Sequence, residues 1–319
     1  MSDKKQQKNE NDDIFKQLEQ KIPQENLNDE DTRYEEMKDS YEVSSYYAKS
    51  KLREEEPELA DALEKVEESN VVCVQGGYDK CELVLRLADI PHVVVSTQEI
   101  EQVNFRPDQT VFINCPGNMS KKAIRKLVTF VSEGGLLVTT DWALQNVLEV
   151  GFPDKVRYNQ NPTGDEVVRI TVKEPDNPSV KGFLEADGDP LWWLEGSSYP
   201  IEILDKENVK VLVLSKELKE KYGEEPVIIE FEHGKGKVIH MISHFYLQRT
   251  ETRDKKDSMS AETAVDSKYF ADAPAEMQEK LKSTNVASFK AAQSSVNFIQ
   301  KNIAAQKMKF MKKGNKEEK

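Results

Sequence analysis

One carboxylate and two imidazoles follow or close strand-like runs in this sequence. Asp141 comes directly after the apolar run 136–140, and His240 and His244 lie within and just after the run 237–242. In an open α/β sheet, ligands and catalytic groups collect at the carboxyl ends of the strands. A carboxylate that faces an imidazole there can move protons or bind a metal ion. We therefore expect Asp141 and His244 to face each other in one crevice and to bind a polar ligand or a metal ion.

Each of these residues also has an ordinary structural interpretation. An Asp at the start of a helix commonly caps it, so Asp141 is expected to be an N-cap more often than a functional group. His240 and His244 have the i, i+4 spacing of a metal pair on a helix. On a strand the same spacing separates them by about 13 Å. The sequence therefore predicts no metal site for the histidine pair alone.

The three cysteines, Cys73, Cys81 and Cys115, lack the spacing of a disulfide framework or of a CxxC metal site. Free cysteines are usually buried as small apolar side chains, and we interpret all three as structural thiols. The turn after the run 136–140 offers Asp141 and Trp142 but no Cys or Ser. The sequence predicts no cofactor.

Two further features suggest contacts with a ligand or a partner. Gly76 and Gly77 form a turn after a strand, but neither dinucleotide nor P-loop spacing is present, so a tight turn explains them. Trp192 and Trp193 are adjacent in a polar loop over 187–198, which predicts that one fills the core and the other lines a pocket or contacts a partner. The residues predicted to contact a ligand or a partner are Gly76, Gly77, Pro116, Gly117, Trp142, Trp192 and Trp193.

The elements that position these residues alternate between strand and helix. Strand-like runs over 71–75, 92–96, 110–115 and 136–140 are uniformly apolar, and helix-like segments separate them. Uniformly apolar strands are typical of a parallel sheet that is covered on both faces. Three later strands are predicted over 209–214, 227–231 and 237–242, and one over 166–172. The fold class is therefore α/β, a flavodoxin-like three-layer sandwich with a mostly parallel sheet and with helical extensions at both ends.

The chain is uneven in charge. Residues 1–68 contain 11 Lys and Arg against 21 Asp and Glu, and supply most of the net charge of −13. Such acidity argues against nucleic-acid binding, and no apolar run is long enough for a membrane span. The charged N-terminus is unlike a signal peptide, which predicts a cytoplasmic protein. The predicted units are a disordered acidic arm over 1–30, a helical extension over 31–69, an α/β domain over 70–248, a linker over 249–275, a helix over 276–311 and a basic tail over 312–319.

The C-terminal helix carries a narrow apolar stripe. Phe289, Val296, Ile303 and Phe310 recur every seven residues. Such a stripe packs either on its own domain, which is the commoner case, or on a helix of a protein partner. A partner could be another protein or a second copy of the chain.

The order of elements resembles the class I glutamine amidotransferase-like superfamily, which includes ThuA relatives and non-enzymatic GIFT domains. The likeness covers about residues 70–248. The stretches that carry it are VFINCPG at 111–117, FVSEGG at 130–135 and GKGKV at 234–238. Catalytic members place a nucleophilic Cys after the fourth strand and a His after a late strand. Here Thr140, Asp141 and Trp142 occupy the first place, so the resemblance implies that glutaminase chemistry is absent.

Two functions from different classes are therefore expected. The first is a non-catalytic binding or scaffold protein that acts within a larger assembly. The alternative is a ThuA-like hydrolase or sugar-processing enzyme that uses Asp141 with His240 or His244, with or without a metal ion. A buried cluster of these residues with perturbed pKa values would favour the enzyme. A shallow crevice filled by Trp192 or Trp193 would favour the scaffold.

Overall fold

A computed structural model describes residues 32–183, 190–244 and 255–317, with side chains described from Met37 to Lys312 within these ranges. The acidic arm predicted over 1–30 lies outside the described residues. None of the described helices is long and apolar enough to cross a membrane.

Twelve strands and eight helices form the described fold. The strands are β1 (Val71–Val74), β2 (Val93–Val95), β3 (Thr110–Ile113), β4 (Leu136–Thr140), β5 (Val156–Tyr158), β6 (Glu166–Arg169), β7 (Thr171–Val172), β8 (Leu191–Leu194), β9 (Ile201–Ile203), β10 (Val209–Leu214), β11 (Pro226–His233) and β12 (Gly236–Met241). The helices are α1 (Thr32–Glu55), α2 (Pro57–Glu64), α3 (Cys81–Leu87), α4 (Lys121–Glu133), α5 (Glu149–Gly151), α6 (Lys216–Tyr222), α7 (Ala275–Ser283) and α8 (Val286–Glu317).

The main sheet has eight strands in the order β2-β1-β3-β4-β12-β11-β10-β7. The first five strands are parallel, and β11, β10 and β7 continue the sheet with antiparallel pairing. The parallel part has the 2-1-3-4-5 order of flavodoxin-like folds, with β12 in fifth place. The predicted α/β, flavodoxin-like fold class is thereby confirmed. The late strands extend the same sheet.

Local sequence explains why strand β4, which precedes Asp141, is so sharply bounded. Helix α4 begins after Ser120, whose hydroxyl accepts a hydrogen bond from the Ala123 N–H (3.1 Å). It ends at Gly134, which has a φ of 132°. Strand β4 follows at once, and all five of its residues are buried. The predicted strand over 136–140 has the observed boundaries.

The helical extensions pack on each other. Tyr41 and Ser45 of α1 are buried, and the Gln300 amide of α8 donates a hydrogen bond to the Ser45 hydroxyl (3.2 Å). A second apolar cluster joins Tyr47, Phe270 and Phe289. Residues of both ends of the described chain therefore complete one body with the sheet.

Three segments differ from the expected elements. The linker predicted over 249–275 is described from 255, and this part contains short 3₁₀ turns and buries Ala261 and Phe270, because α1 and α8 offer an apolar face to cover. The helix predicted over 276–311 is two helices, since the Asn285 carboxamide accepts from the Ser288 N–H (2.8 Å) and starts a new one. Helix α8 continues to Glu317, into the predicted basic tail.

Candidate functional site

Four neighbouring parallel strands each deliver one polar side chain to the same edge of the sheet. Asp79 follows β1, Cys115 follows β3, Asp141 follows β4 and His244 follows β12. All four side chains are buried. Because strand order is β1-β3-β4-β12, these groups converge at the carboxyl ends of adjacent strands, where α/β folds bind their ligands.

Asp141 has a strained backbone and a directed carboxylate. Its N–H donates to the Met241 carbonyl (2.9 Å), which extends the β4–β12 pairing by one residue. Its φ of 46° is in the left-handed region, which is uncommon for residues other than Gly and is found at functional sites. One carboxylate oxygen accepts from the Tyr199 N–H (3.2 Å), and the other lies 3.6 Å from the His244 Nε2 atom. The carboxylate thus points across the crevice rather than onto the next helical turn, so the N-cap interpretation is wrong.

His244 is held between carboxylates. Its Nδ1 atom contacts the Glu195 carboxylate, and its Nε2 atom faces Asp141. Burial alone would lower the pKa of His244, but attraction to Asp79 and contacts with Cys115 and Glu195 raise the pKa to about 11. The expectation that Asp141 and His244 share one crevice agrees with this geometry.

The two aspartates at this edge resist ionisation. Burial raises the pKa of Asp141 to about 8, against the opposing attraction of His244. Burial likewise raises the pKa of Asp79 to about 6. Asp79 accepts hydrogen bonds from the Thr140 hydroxyl (2.7 Å) and from the Lys80 N–H (2.8 Å). Buried groups with such perturbed pKa values are candidates for acid–base work or for binding a cation.

Cys115 brings a thiol into the same cluster. Its Sγ atom lies 3.9 Å from an Asp141 carboxylate oxygen, and burial raises its pKa. One ligand atom each from Cys115, Asp141 and His244 lies within 4.8 Å of the other two. The turn after β4 lacks a Cys, as the sequence shows, but the turn after the neighbouring strand β3 supplies one. Cys115 is buried, as expected of a structural thiol, but it also belongs to this cluster.

His240 does not belong to the cluster. It lies within β12, is fully buried, and its Nδ1 atom forms a hydrogen bond with the Thr139 hydroxyl (2.9 Å). Burial lowers its pKa to about 3, so the ring is neutral. His240 pairs with Thr139, two residues before Asp141, and its described hydrogen bond goes to Thr139 rather than to Asp141.

The glycine turns shape the backbone around the thiol. The N–H groups of Gly77 and Tyr78 both donate to the Cys115 carbonyl (3.0 and 3.2 Å). Those amides are thus used inside the fold, which agrees with a tight turn rather than a phosphate cradle. Pro116 and Gly117 follow the thiol, and the Pro116 carbonyl accepts from the Asn146 amide (2.7 Å). Their predicted contact with a ligand or a partner stays a prediction.

Trp142 belongs to a row of aromatic rings beside Asp141. The rings of Tyr78 and Trp142 meet edge to face (5.3 Å), Trp142 stacks on Tyr199 (5.6 Å), and Tyr199 stacks on Tyr158 (3.8 Å). The Trp142 indole donates to the Ser197 carbonyl (2.7 Å), which fixes its plane. Tyr78 is 61% exposed. The row therefore begins at the exposed ring of Tyr78 and passes Asp141, which contacts Tyr199.

The predicted loop over 187–198 contains a strand. Trp192 and Trp193 lie in β8, which pairs with β6, so their side chains point to opposite faces. Trp192 is buried, and its indole donates to the Ser243 hydroxyl (2.6 Å). Trp193 is half-buried and donates to the Asp165 carboxylate (2.7 Å). One tryptophan does fill the core; the ligand or partner for the other stays a prediction. Phe245 and Tyr246, which could add to such a surface, lie outside the described residues.

The stripe of α8 is used within the chain. Phe289, Val296 and Ile303 are buried, whereas Phe310 is half-buried. Phe289 meets Tyr47 of α1 edge to face (5.7 Å). Of the two expectations for this helix, the described structure shows packing on its own chain. A protein partner would have to bind another face.

Sequence reasoning missed Asp79 and Glu195. Asp79 comes after the first strand and the Gly76-Gly77 turn, a position that the strand-edge argument already covered. Glu195 follows a segment that was expected to be a loop, so nothing in the pattern tied it to His244. Cys115 was found but interpreted without reference to its neighbours.

Comparisons with known proteins give distant fold likenesses. No family model matches the chain, and no curated protein does. A cytoplasmic protein of Salmonella typhimurium is similar at a TM-score of 0.40 and 13% identity, over 55% of this chain and 88% of that one. A putative ThuA-like protein of Bacteroides uniformis gives 0.39 and 12%, over 56% and 82%. The GH42 β-galactosidase Gan42B of G. stearothermophilus gives 0.37 and 14%, and the match spans 54% of this chain but 27% of the galactosidase.

Proposed function

We propose that this protein is a hydrolytic enzyme whose reaction centre is the crevice between Asp141 and His244. The observation that supports the proposal is the approach of the His244 Nε2 atom to within 3.6 Å of the Asp141 carboxylate at the carboxyl edge of the sheet. A water molecule that contacts both groups would lie beside a protonated imidazole and a carboxyl group whose pKa of about 8 lets it gain or lose a proton near neutral pH.

The cost of the cluster supports an enzyme over a scaffold. Asp79 and Asp141 are buried beside one imidazole and Glu195 is half-buried against it, an arrangement that costs free energy and that a binding surface does not require. A buried cluster of titratable groups with perturbed pKa values favours an enzyme. Asp79, Asp141 and His244 form such a cluster. A shallow crevice filled by a tryptophan would favour a scaffold. The indole of Trp192 is instead buried in the core beside Ser243.

The aromatic row suggests the kind of substrate. Trp142 and Tyr199 flank Asp141, and Tyr78 presents an exposed ring at the outer end. Ring faces beside carboxylates suit a molecule with both an apolar face and polar groups. The resemblance to ThuA-like proteins implies a sugar derivative, and we include that class in the proposal. The three cysteines are free thiols, which supports a reducing compartment such as the cytoplasm.

The experiment is a hydrolysis screen with matched variants. The purified full chain would be assayed with chromogenic glycosides and acetylated sugars, beside Asp141→Asn and His244→Gln. Asp165→Asn and His233→Gln serve as controls, because these residues lie outside the cluster. We expect both site variants to lose at least 100-fold in kcat/KM and both controls to retain activity. Wild-type turnover that survives in both site variants would refute the proposal.

Binding of a protein partner is the alternative function. The described part of α8 uses its apolar stripe inside the chain, so the charged ends are what supports a partner-binding role. Affinity purification of the full chain beside a truncation that ends at residue 251 would test it. A partner retained by the full chain alone would favour the scaffold. Because the truncation also removes α8, circular dichroism must first show that it folds.

A further inference from the structure

We propose that Cys115, Asp141 and His244 bind a divalent zinc-like metal ion. The inference deepens the proposed function and rests on it for the role of the metal, since a bound ion would activate the water molecule in the crevice. Metal binding itself is independent of any substrate and can be measured without one.

The distances between the three ligand atoms suit one small ion. A tetrahedral zinc site with metal–ligand bonds of about 2.0 Å to N or O and 2.3 Å to S places its ligand atoms about 3.3 to 3.6 Å apart. The Asp141 carboxylate oxygen lies 3.6 Å from the His244 Nε2 atom and 3.9 Å from the Cys115 Sγ atom. The third pair, the Cys115 Sγ atom and a ring nitrogen of His244, lies within 4.8 Å. The three side chains come from three adjacent strands, so the sheet fixes their separation.

Glu195 provides a second, independent indication. It contacts the Nδ1 atom of His244, on the side of the ring away from Asp141. A histidine that binds a metal usually donates its other N–H to a carboxylate, which fixes the tautomer and aims the free nitrogen at the ion. Here Glu195 contacts Nδ1, and Nε2 is the nitrogen that faces Asp141.

The charges of the cluster also favour a cation. Asp79, Asp141 and Glu195 are acidic, and His244 is the base that contacts Asp141 and Glu195. A divalent cation would stabilise the ionised carboxylates and the thiolate directly.

The ligand types select the metal and its role. A mixed set of thiolate, imidazole and carboxylate suits zinc better than magnesium or calcium, which prefer oxygen ligands. Three protein ligands leave a fourth position for water, as in catalytic zinc sites, where the pKa of the bound water is about 7. Asp79, which accepts a hydrogen bond from the Thr140 hydroxyl, places a further carboxyl group at the same edge of the sheet.

The test is titration of the metal-free full chain with Co²⁺, followed by displacement with Zn²⁺. We expect one Co²⁺ per chain, the visible bands of a tetrahedral ion, and a near-ultraviolet band from thiolate-to-metal charge transfer. Cys115→Ser should abolish the charge-transfer band. Glu195→Gln should keep the band but weaken the affinity by about 10- to 100-fold. His233→Gln is the matched control and should bind as the wild type does.

A second variant assigns the thiolate even if Cys115→Ser fails to fold. Cys73 and Cys81 contact each other (3.2 Å between the sulfur atoms), so the double change Cys73→Ala and Cys81→Ala leaves Cys115 as the remaining thiol. A charge-transfer band in that variant supports the site, and loss of the band with retained fold overturns it. Absence of stoichiometric Co²⁺ binding to the wild type also overturns it.

The outcome for the metal is separable from the outcome for hydrolysis. A chain that binds the ion at Cys115, Asp141 and His244 but hydrolyses nothing would preserve the site and refute the proposed function. A chain whose hydrolysis needs Asp141 and His244 but continues after removal of metal by a chelator would preserve the function and refute the role of the metal in it; failure of the wild type to bind Co²⁺ would refute the site.

Discussion

The Nε2 atom of His244 lies 3.6 Å from the Asp141 carboxylate because the two residues leave adjacent parallel strands at the same edge. Strand β12 pairs with β4 in register from Lys237 with Leu136 to Met241 with Thr140. Asp141 continues that register by one hydrogen bond, and His244 comes three residues after the end of β12. The backbone pairing of the sheet therefore sets the spacing of the site.

Gly76→Ala should damage the site through the backbone. A Cβ atom at this position would overlap the Cys115 carbonyl and lie 2.6 Å from the Asn114 Cβ atom. Because the carbonyl is backbone and cannot rotate away, relief requires a shift of the turn that carries the thiol. We expect the free energy of unfolding to fall by about 2 kcal/mol, measured by urea unfolding, together with weaker Co²⁺ binding.

The neighbouring glycine provides the control for that experiment. A Cβ atom at Gly77 would meet nothing closer than the Pro116 Cδ atom at 3.9 Å, an ordinary contact. Gly77→Ala should therefore change stability by less than about 0.5 kcal/mol. Equal losses of stability in the two variants would show that the close approach of Gly76 to Cys115 does not cause the loss.

His240 should make the protein less stable in acid. Its folded-state pKa of about 3 lies below the ordinary value of 6.5, so the unfolded chain takes up a proton that the folded chain refuses. The stabilisation is complete above pH 6.5 and is lost as the pH falls towards 3. Between pH 7 and pH 5 this single group should remove about 2 kcal/mol from the free energy of unfolding.

Urea unfolding of His240→Asn over the same pH range isolates that contribution. The asparagine amide can keep a hydrogen bond with the Thr139 hydroxyl but does not titrate. The wild type should therefore lose about 2 kcal/mol more than the variant between pH 7 and pH 5. Parallel pH profiles of the two proteins would contradict the assignment.

Phe289→Ala should destabilise the chain far more than Phe310→Ala. Both residues belong to the same seven-residue stripe of α8, but Phe289 is fully buried against Tyr47, whereas Phe310 is half-buried. We expect a loss of about 4 kcal/mol for the first and about 1 kcal/mol for the second. Thermal unfolding would measure both. Similar small losses would instead favour a stripe that is reserved for a partner.

Ser243→Ala should loosen the residue next to His244. The Ser243 hydroxyl accepts from the Trp192 indole (2.6 Å) and donates to the Trp193 carbonyl (2.8 Å). Removing it leaves buried polar groups without that partner, which costs about 1 to 3 kcal/mol. In a double-mutant cycle with Trp192→Phe, we expect a coupling of about 1 kcal/mol. Strictly additive effects would show that the hydrogen bond is not a stabilising contact.

The periodicity of the sequence predicted the sheet better than the site. Strand β4 was predicted at its observed boundaries because a glycine pair ends the preceding helix and five β-prone residues follow. The approach of Asp141 and His244 followed from the rule that parallel strands deliver their next residues to one edge. The same rule applies to Asp79 and Cys115, whose individual patterns were ordinary.

The rest of the site depends on contacts that no local pattern encodes. Glu195 reaches His244 from outside the main sheet, at the end of β8, which was expected to be a loop because Gly, Asp and Ser surround its tryptophans. The left-handed backbone of Asp141 arises from the tertiary fold, whereas the sequence preference alone favoured a helix cap. The segment after 255 likewise acquires its structure from the apolar face that α1 and α8 present.

The pairing of α1 with α8 also has a consequence for biosynthesis. The Gln300–Ser45 hydrogen bond joins residues 255 positions apart in the chain. During translation, α1 emerges long before the helix that covers it, so its apolar face must wait in contact with solvent or a chaperone. Contacts of such long range slow folding and lengthen the interval in which a nascent chain can aggregate. Arrest of the ribosome before α8 has emerged should therefore yield chains that remain protease-sensitive at α1.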